Sequence, residues 1–211
     1  LFRPAGPARG LVVFVHGGYW RAFGPGTWSH LAAGALAHGH AVAMPGYPLC
    51  PERRIRDITR SVARAVEAAA ARVAGPIRLT GHSAGGHLVA RMLMADAAPA
   101  PAVAARIARA VPISGLFDLR PLMRTAMNDD FRLDAEEAAA ESPALGQPKS
   151  DVSVICWVGG AERPAFIEQS RILTDSWKTA GLHIEPGRHH FDVIDDLARP
   201  DSTLVAALVA G

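Results

Sequence analysis

The chain has little that would place it outside the ordinary globular proteins. Only two cysteines occur in 211 residues, Cys50 in a proline-flanked loop and Cys156 inside an apolar run. Two such distant cysteines make neither a metal-ligand cluster nor a secreted disulfide framework. No apolar stretch reaches the length needed to span a bilayer, and Leu1-Phe2-Arg3-Pro4 does not resemble a signal peptide, so a cytoplasmic location is the default expectation. Lysine is scarce, and the basic residues are mostly arginines interleaved with Asp and Glu along helical stretches. The formal charge of +2 therefore reads as solvated helix faces, and no basic block suggests a nucleic acid partner.

What is present is enough apolar sequence for one full core. Hydrophobic residues make up 49% and charged residues 20%, values that exclude disorder and favour a single domain over residues 1–211. The chain opens only a few residues before its first strong strand, so further N-terminal strands are expected to belong to the parent fold.

Short β-branched runs alternate with longer Ala-rich amphipathic stretches, the pattern of a mostly parallel sheet covered by crossover helices on both faces. Strands are expected at 11–15, 41–44, 77–80, 110–113, 153–158 and 182–185. Helices are expected at 28–38, 55–73, 84–95, 164–180 and 202–210. Residues 97–105 read as a surface connection. Residues 117–150, long and acidic, read as a small cap-like insertion over the strand ends or as a plain pair of surface helices.

Gly81-His82-Ser83-Ala84-Gly85 follows one predicted strand and opens a helix. In that setting G-x-S-x-G forces a sharp turn, which only small neighbours permit, and it surrounds the Ser83 hydroxyl with helix N-terminal amides. The competing reading is a serine N-cap on an unremarkable turn. His16-Gly17-Gly18-Tyr19-Trp20 follows the first strand, and its glycines let backbone N–H groups face a developing oxyanion. Gly17, Gly18 and Ala84 are the expected oxyanion-hole donors. Tyr19 and Trp20, with Phe117, are candidates for an aromatic substrate wall, or equally for core positions.

A serine hydroxyl needs a base, and in chain order an acid should precede that base. His189 and His190 both follow the last predicted strand, and residue chemistry alone leaves the two open. Glu162, after the penultimate strand, is the expected acid; its alternative role is a helix N-terminal glutamate. Asp192, Asp195 and Asp196 come too late in the chain, and Asp175 falls on a helix. His16 and His82 read as structural loop residues.

With these pieces in place the chain resembles the bacterial α/β-hydrolases related to kynurenine formamidase (arylformamidase). The resemblance rests on His16 to Trp20, on Gly81-His82-Ser83-Ala84-Gly85-Gly86-His87-Leu88, on Ser114-Gly115-Leu116-Phe117-Asp118-Leu119 and on His190-Phe191. It implies the α/β-hydrolase fold, favours His190 over His189 because the group has His directly before Phe, and implies hydrolysis of N-formyl-L-kynurenine to kynurenine and formate. Glu162 stands where Asp is common in that group, and either carboxylate serves as the third member. The expected partner is a small-molecule substrate, with no metal or organic cofactor, no nucleic acid and no membrane; a homodimer is left open. A short-acyl carboxylesterase and a non-catalytic hydrolase-fold binding protein are the competing readings.

Overall fold

In the computed structural model, which describes residues 1–210, six strands form one wholly parallel sheet in the order β2-β1-β3-β4-β5-β6. They are β1 (Leu11–Val15), β2 (Ala41–Ala43), β3 (Ile77–His82), β4 (Ile107–Ile113), β5 (Ser153–Gly159) and β6 (Ala180–Glu185). Phe2 adds an isolated antiparallel bridge to Val42 on the β2 edge. β1 is apolar throughout and β3 is buried along its whole length because both faces are covered. In β1, Leu11, Val13 and Val15 enter one core, while Val12 and Phe14 enter another on the opposite face.

The helices divide between those two cores. On the first lie α2 (Ile55–Ala70), α3 (Ala84–Arg91) and α7 (Pro164–Ser176); on the second lie α1 (Ala33–Ala37) and α8 (Thr203–Val209). The short α4 (Pro101–Ala104) sits in the connection before β4. The helix expected at 28–38 is instead a 3₁₀ run at Pro25–Ala32 that passes into α1. The helix expected to reach residue 180 stops at Ser176. There Trp177 turns extended, and its buried indole donates to the Pro143 and Gly146 carbonyls. Residues 180 and 181 join β6, which is therefore longer than anticipated.

The 117–150 segment reads from the sequence either as a cap-like insertion or as a pair of surface helices. It contains two short helices, α5 (Asn128–Phe131) and α6 (Ala135–Ala140), and it packs onto the α2 and α3 layer. Phe117, Leu119 and Phe131 are fully buried in the first core. Glu141 accepts hydrogen bonds from Thr59 Oγ1 at 2.7 Å and Arg91 Nε at 3.2 Å, and its carbonyl accepts from His87 Nε2 at 2.7 Å. A charge buried this deeply persists only when paired, so the network ties the segment down. None of its residues lines the cavity described below. Among the described residues no helix is long and apolar enough to cross a membrane.

Candidate active site

Four segments leaving the C-terminal ends of β1, β3, β5 and β6 converge on a cavity of about 480 Å³ beside Ser83. Ligands of open parallel sheets bind at this edge, where strand ends and helix N-termini point the same way.

Ser83 sits between β3 and α3 with φ 54 and ψ −117, a left-handed conformation that a serine adopts only where its surroundings enforce it. The enforcement is steric. A Cβ on Gly85 would stand 1.9 Å from the Val15 carbonyl, and one on Gly81 would stand 2.6 Å from the Gly85 carbonyl. Strand and helix can therefore approach only with glycine at both places.

The β1 loop lies against this turn, since a Cβ on Gly17 would fall 3.1 Å from that of Ser83. Its carbonyls are held from behind. Tyr47 Oη donates to the His16 carbonyl at 2.8 Å while its ring stacks on the His16 imidazole, centroids 4.2 Å apart. His16 Nδ1 donates to the Gly17 carbonyl at 2.8 Å, and Arg21 and Ala22 amides donate to that of Gly18. In a planar trans peptide N–H points opposite to C=O, so the Gly17 amide is turned away from Tyr47 and the Gly18 amide away from the His16 ring. Among the described residues, the Gly17, Gly18 and Ala84 amides donate to no backbone carbonyl. Burial holds the His16 pKa below its usual value, partly offset by its bond to Gly17.

Glu162 reaches back from the β5 loop with both oxygens engaged. Oε1 accepts from Ser114 Oγ at 2.5 Å and from the Gly159 amide at 2.9 Å; Oε2 accepts from His190 Nδ1 at 2.6 Å. Burial pushes this carboxyl up, yet the hydrogen bonds from His190, Ser114 and Gly159 outweigh it and hold the pKa below the ordinary carboxylate range. With Nδ1 committed as donor, the second ring nitrogen of His190 is left as the basic one.

The His190 ring stacks on Phe166 of α7, centroids 4.0 Å apart, and lies 4.7 Å from the ring of His82. His189 also lines the cavity, but it is exposed, and its Nδ1 lies 3.3 Å from Asp192 rather than on Glu162. Ser83, Glu162 and His190 all line this cavity, although no hydrogen bond joins the serine hydroxyl to His190. Such contacts commonly tighten only with substrate. Asp196 is engaged by Arg188 and Arg199 instead.

One aromatic assignment needs correction. Trp20 does not line the cavity. Positive φ values at Tyr19 and Trp20 turn its indole into the core, fully buried with edge contacts to His87 and Phe131. Phe117 is likewise a core residue. Tyr19 does line the cavity, joined by Phe23, Trp28, Phe166 and Phe191. Sequence reasoning missed this second set, and it also missed Ser114 and His82 as supports. A serine directly after β4 and a histidine inside the elbow were the available signals. Cys50 and Cys156 are free and buried, their thiols pushed up to about 11 and about 12 by desolvation.

A parallel sheet with a serine on a strained strand-to-helix turn, facing a carboxylate-bound histidine at the strand ends, defines an α/β-hydrolase. The sequence pattern described as the alpha/beta hydrolase fold matches residues 12–180, and the chain belongs to that family. Among curated relatives it is similar to the kynurenine formamidase of Salmo salar, 29% identical over 94% of this chain and 71% of that protein. The kynurenine formamidase of Drosophila melanogaster is 30% identical over 91% of this chain and 69% of that protein. Among solved structures, one described as a "putative thioesterase" from Silicibacter sp. TM1040 is 57% identical, with a TM-score of 0.97 over 99% of this chain and 79% of that one. Apo Thermogutta terrifontis esterase 2, 18% identical at a TM-score of 0.75 over 100% of this chain and 90% of that one, shares the fold.

Proposed function

We propose that the protein is a serine hydrolase that removes a small acyl group through an acyl-enzyme, and that it acts as an arylformamidase on N-formyl-L-kynurenine. The observation that carries the chemistry is the Glu162–His190 hydrogen bond of 2.6 Å beside a serine in the elbow conformation. The similarity to kynurenine formamidases over most of the chain supports the substrate. So does a cavity walled by aromatic side chains, which suits a planar arylamine.

In this reading His190 removes the Ser83 proton as the hydroxyl attacks the formyl carbon. Glu162 holds the imidazole tautomer, and the Gly17, Gly18 and Ala84 amides receive the oxyanion. His190 then gives its proton to the departing arylamine nitrogen. Water, deprotonated by the same histidine, releases formate from Ser83. Tyr19 contributes to the aromatic wall. The one domain works on a small molecule in the cytoplasm, in tryptophan breakdown, with no cofactor.

A short-acyl carboxylesterase is the second reading; the 57% identical Silicibacter structure is described as a thioesterase, which would share its acyl-enzyme chemistry. Comparing kcat/KM on N-formylkynurenine and p-nitrophenyl acetate separates the two, and an ester preference of about a hundredfold or more overturns the formamidase assignment. Retention of full activity by Ser83→Ala would overturn both.

A further inference from the structure

Resting on the serine-hydrolase reading, the charge distribution of the cavity says more about its substrate. Apart from Glu162, whose oxygens are taken by Ser114, Gly159 and His190, the permanent charge on the cavity wall is Arg163. It is exposed, and among the described residues its guanidinium makes no ion pair or hydrogen bond, its backbone carbonyl alone accepting from the Phe166 amide. The other arginines near this edge are engaged: Arg188 and Arg199 pair with Asp196, and Arg120 with Asp118. A guanidinium at the mouth of an apolar cavity, with no carboxylate of its own, is complementary to an anion on the ligand.

Its position also indicates which end of the substrate carries that anion. Arg163 directly follows Glu162 and is the N-cap of α7, a 13-residue helix whose N-terminal dipole adds to the positive field. One turn into the same helix, Phe166 stacks on the His190 ring. The leaving group must lie within reach of His190, which protonates it, whereas the acyl oxygen lies towards Gly17 and Ala84. Arg163 and Phe166 therefore flank the leaving-group side.

We infer that Arg163 and Phe166 form a subsite for an aromatic leaving group bearing a carboxylate, and that Arg163 is a specificity-determining residue for anionic aryl amides and esters. N-formylkynurenine fits this class, because its departing aniline carries an amino-acid carboxylate.

The test uses two acetate esters that differ only in the leaving phenol, phenyl acetate and 3-acetoxybenzoate, with the wild-type protein and the variants Ser83→Ala, Arg163→Gln and Arg163→Lys. The readout is the ratio of kcat/KM for the anionic ester to that for the neutral one. Arg163→Gln is expected to lower this ratio about tenfold, and Arg163→Lys, which keeps the charge, to recover most of it. An unchanged ratio in Arg163→Gln, with Ser83→Ala inactive, overturns the subsite and leaves the hydrolase reading standing. Activity persisting in Ser83→Ala overturns the hydrolase reading itself.

Discussion

His82, the residue inside the serine elbow, donates its Nε2–H to the backbone carbonyl of His190 at 2.8 Å. The two rings lie 4.7 Å apart. A carbonyl can only accept, so this bond sets the His82 tautomer and pins the β6 loop to the β3 turn. Ser83 and His190 thus share a support that neither motif contains alone.

Removing that donor should displace the base. His82→Leu leaves the His190 carbonyl without its partner and is expected to lower kcat by about tenfold to a hundredfold, the usual consequence of a misplaced catalytic group. His82→Gln, which restores an N–H, should recover part of the loss. Saturation kinetics on a small aryl ester check this, and a His82→Leu variant with wild-type kcat would contradict it.

Glu162→Gln tests the tautomer argument. The amide oxygen can still accept from Ser114 and Gly159, but its NH₂ then faces His190 Nδ1, a nitrogen that must now accept. The proton moves to the other ring nitrogen, and His190 loses its capacity to act as a base. A fall in kcat of about 10⁴ is expected with the fold retained. Steady-state rates combined with circular dichroism give the answer.

Tyr47→Phe keeps the ring stacked on His16 and removes only the hydroxyl that holds the His16 carbonyl. If that bond orients the Gly17 amide, kcat should fall about tenfold, about 1.4 kcal/mol of barrier, while KM stays close to its original value. Stability should drop by about 1–2 kcal/mol, because the buried carbonyl loses its partner. A fall in stability without a fall in kcat would show that Tyr47 is only a structural prop.

Acid should unfold the protein above the carboxylate range. Desolvation lowers the buried His82 and His87 to about 3, against 6.5 in the unfolded chain. Between those values the unfolded state binds protons that the folded state refuses. Each imidazole therefore contributes stability present above pH 6.5 and lost as pH falls, at about 1.4 kcal/mol per pH unit. Glu162 adds a loss of the same sign only below 4.5, since its folded pKa is depressed from that value. Urea melts at pH 7, 6, 5 and 4 should show a steady decline; a flat profile down to pH 5 would count against neutral burial of both histidines.

Much of the sheet was legible because inner strands such as β1, buried on both faces, read as short apolar runs, and β1 matches its expected bounds residue for residue. The elbow was equally legible, since a backbone that must pass this close to its neighbour admits only glycine at Gly81 and Gly85. Element ends were less so: Trp177 ended its helix early by entering the core and bonding to Pro143 and Gly146, partners more than thirty residues away.

By itself, then, the amino-acid order determined what acts locally, namely the strand and helix periods, the glycines a tight turn demands, and the chain order of serine, acid and histidine. Tertiary structure placed His190, which the family resemblance favours over His189, on Glu162; it alone sent Trp20 inward while bringing Phe23, Trp28 and Phe166 to the cavity, and left the Arg163 side chain unpaired at its edge. The physical reason is that hydrogen bonds, stacking and charge pairing between residues far apart in the chain depend on where the folded backbone carries each side chain, and no local pattern encodes that meeting.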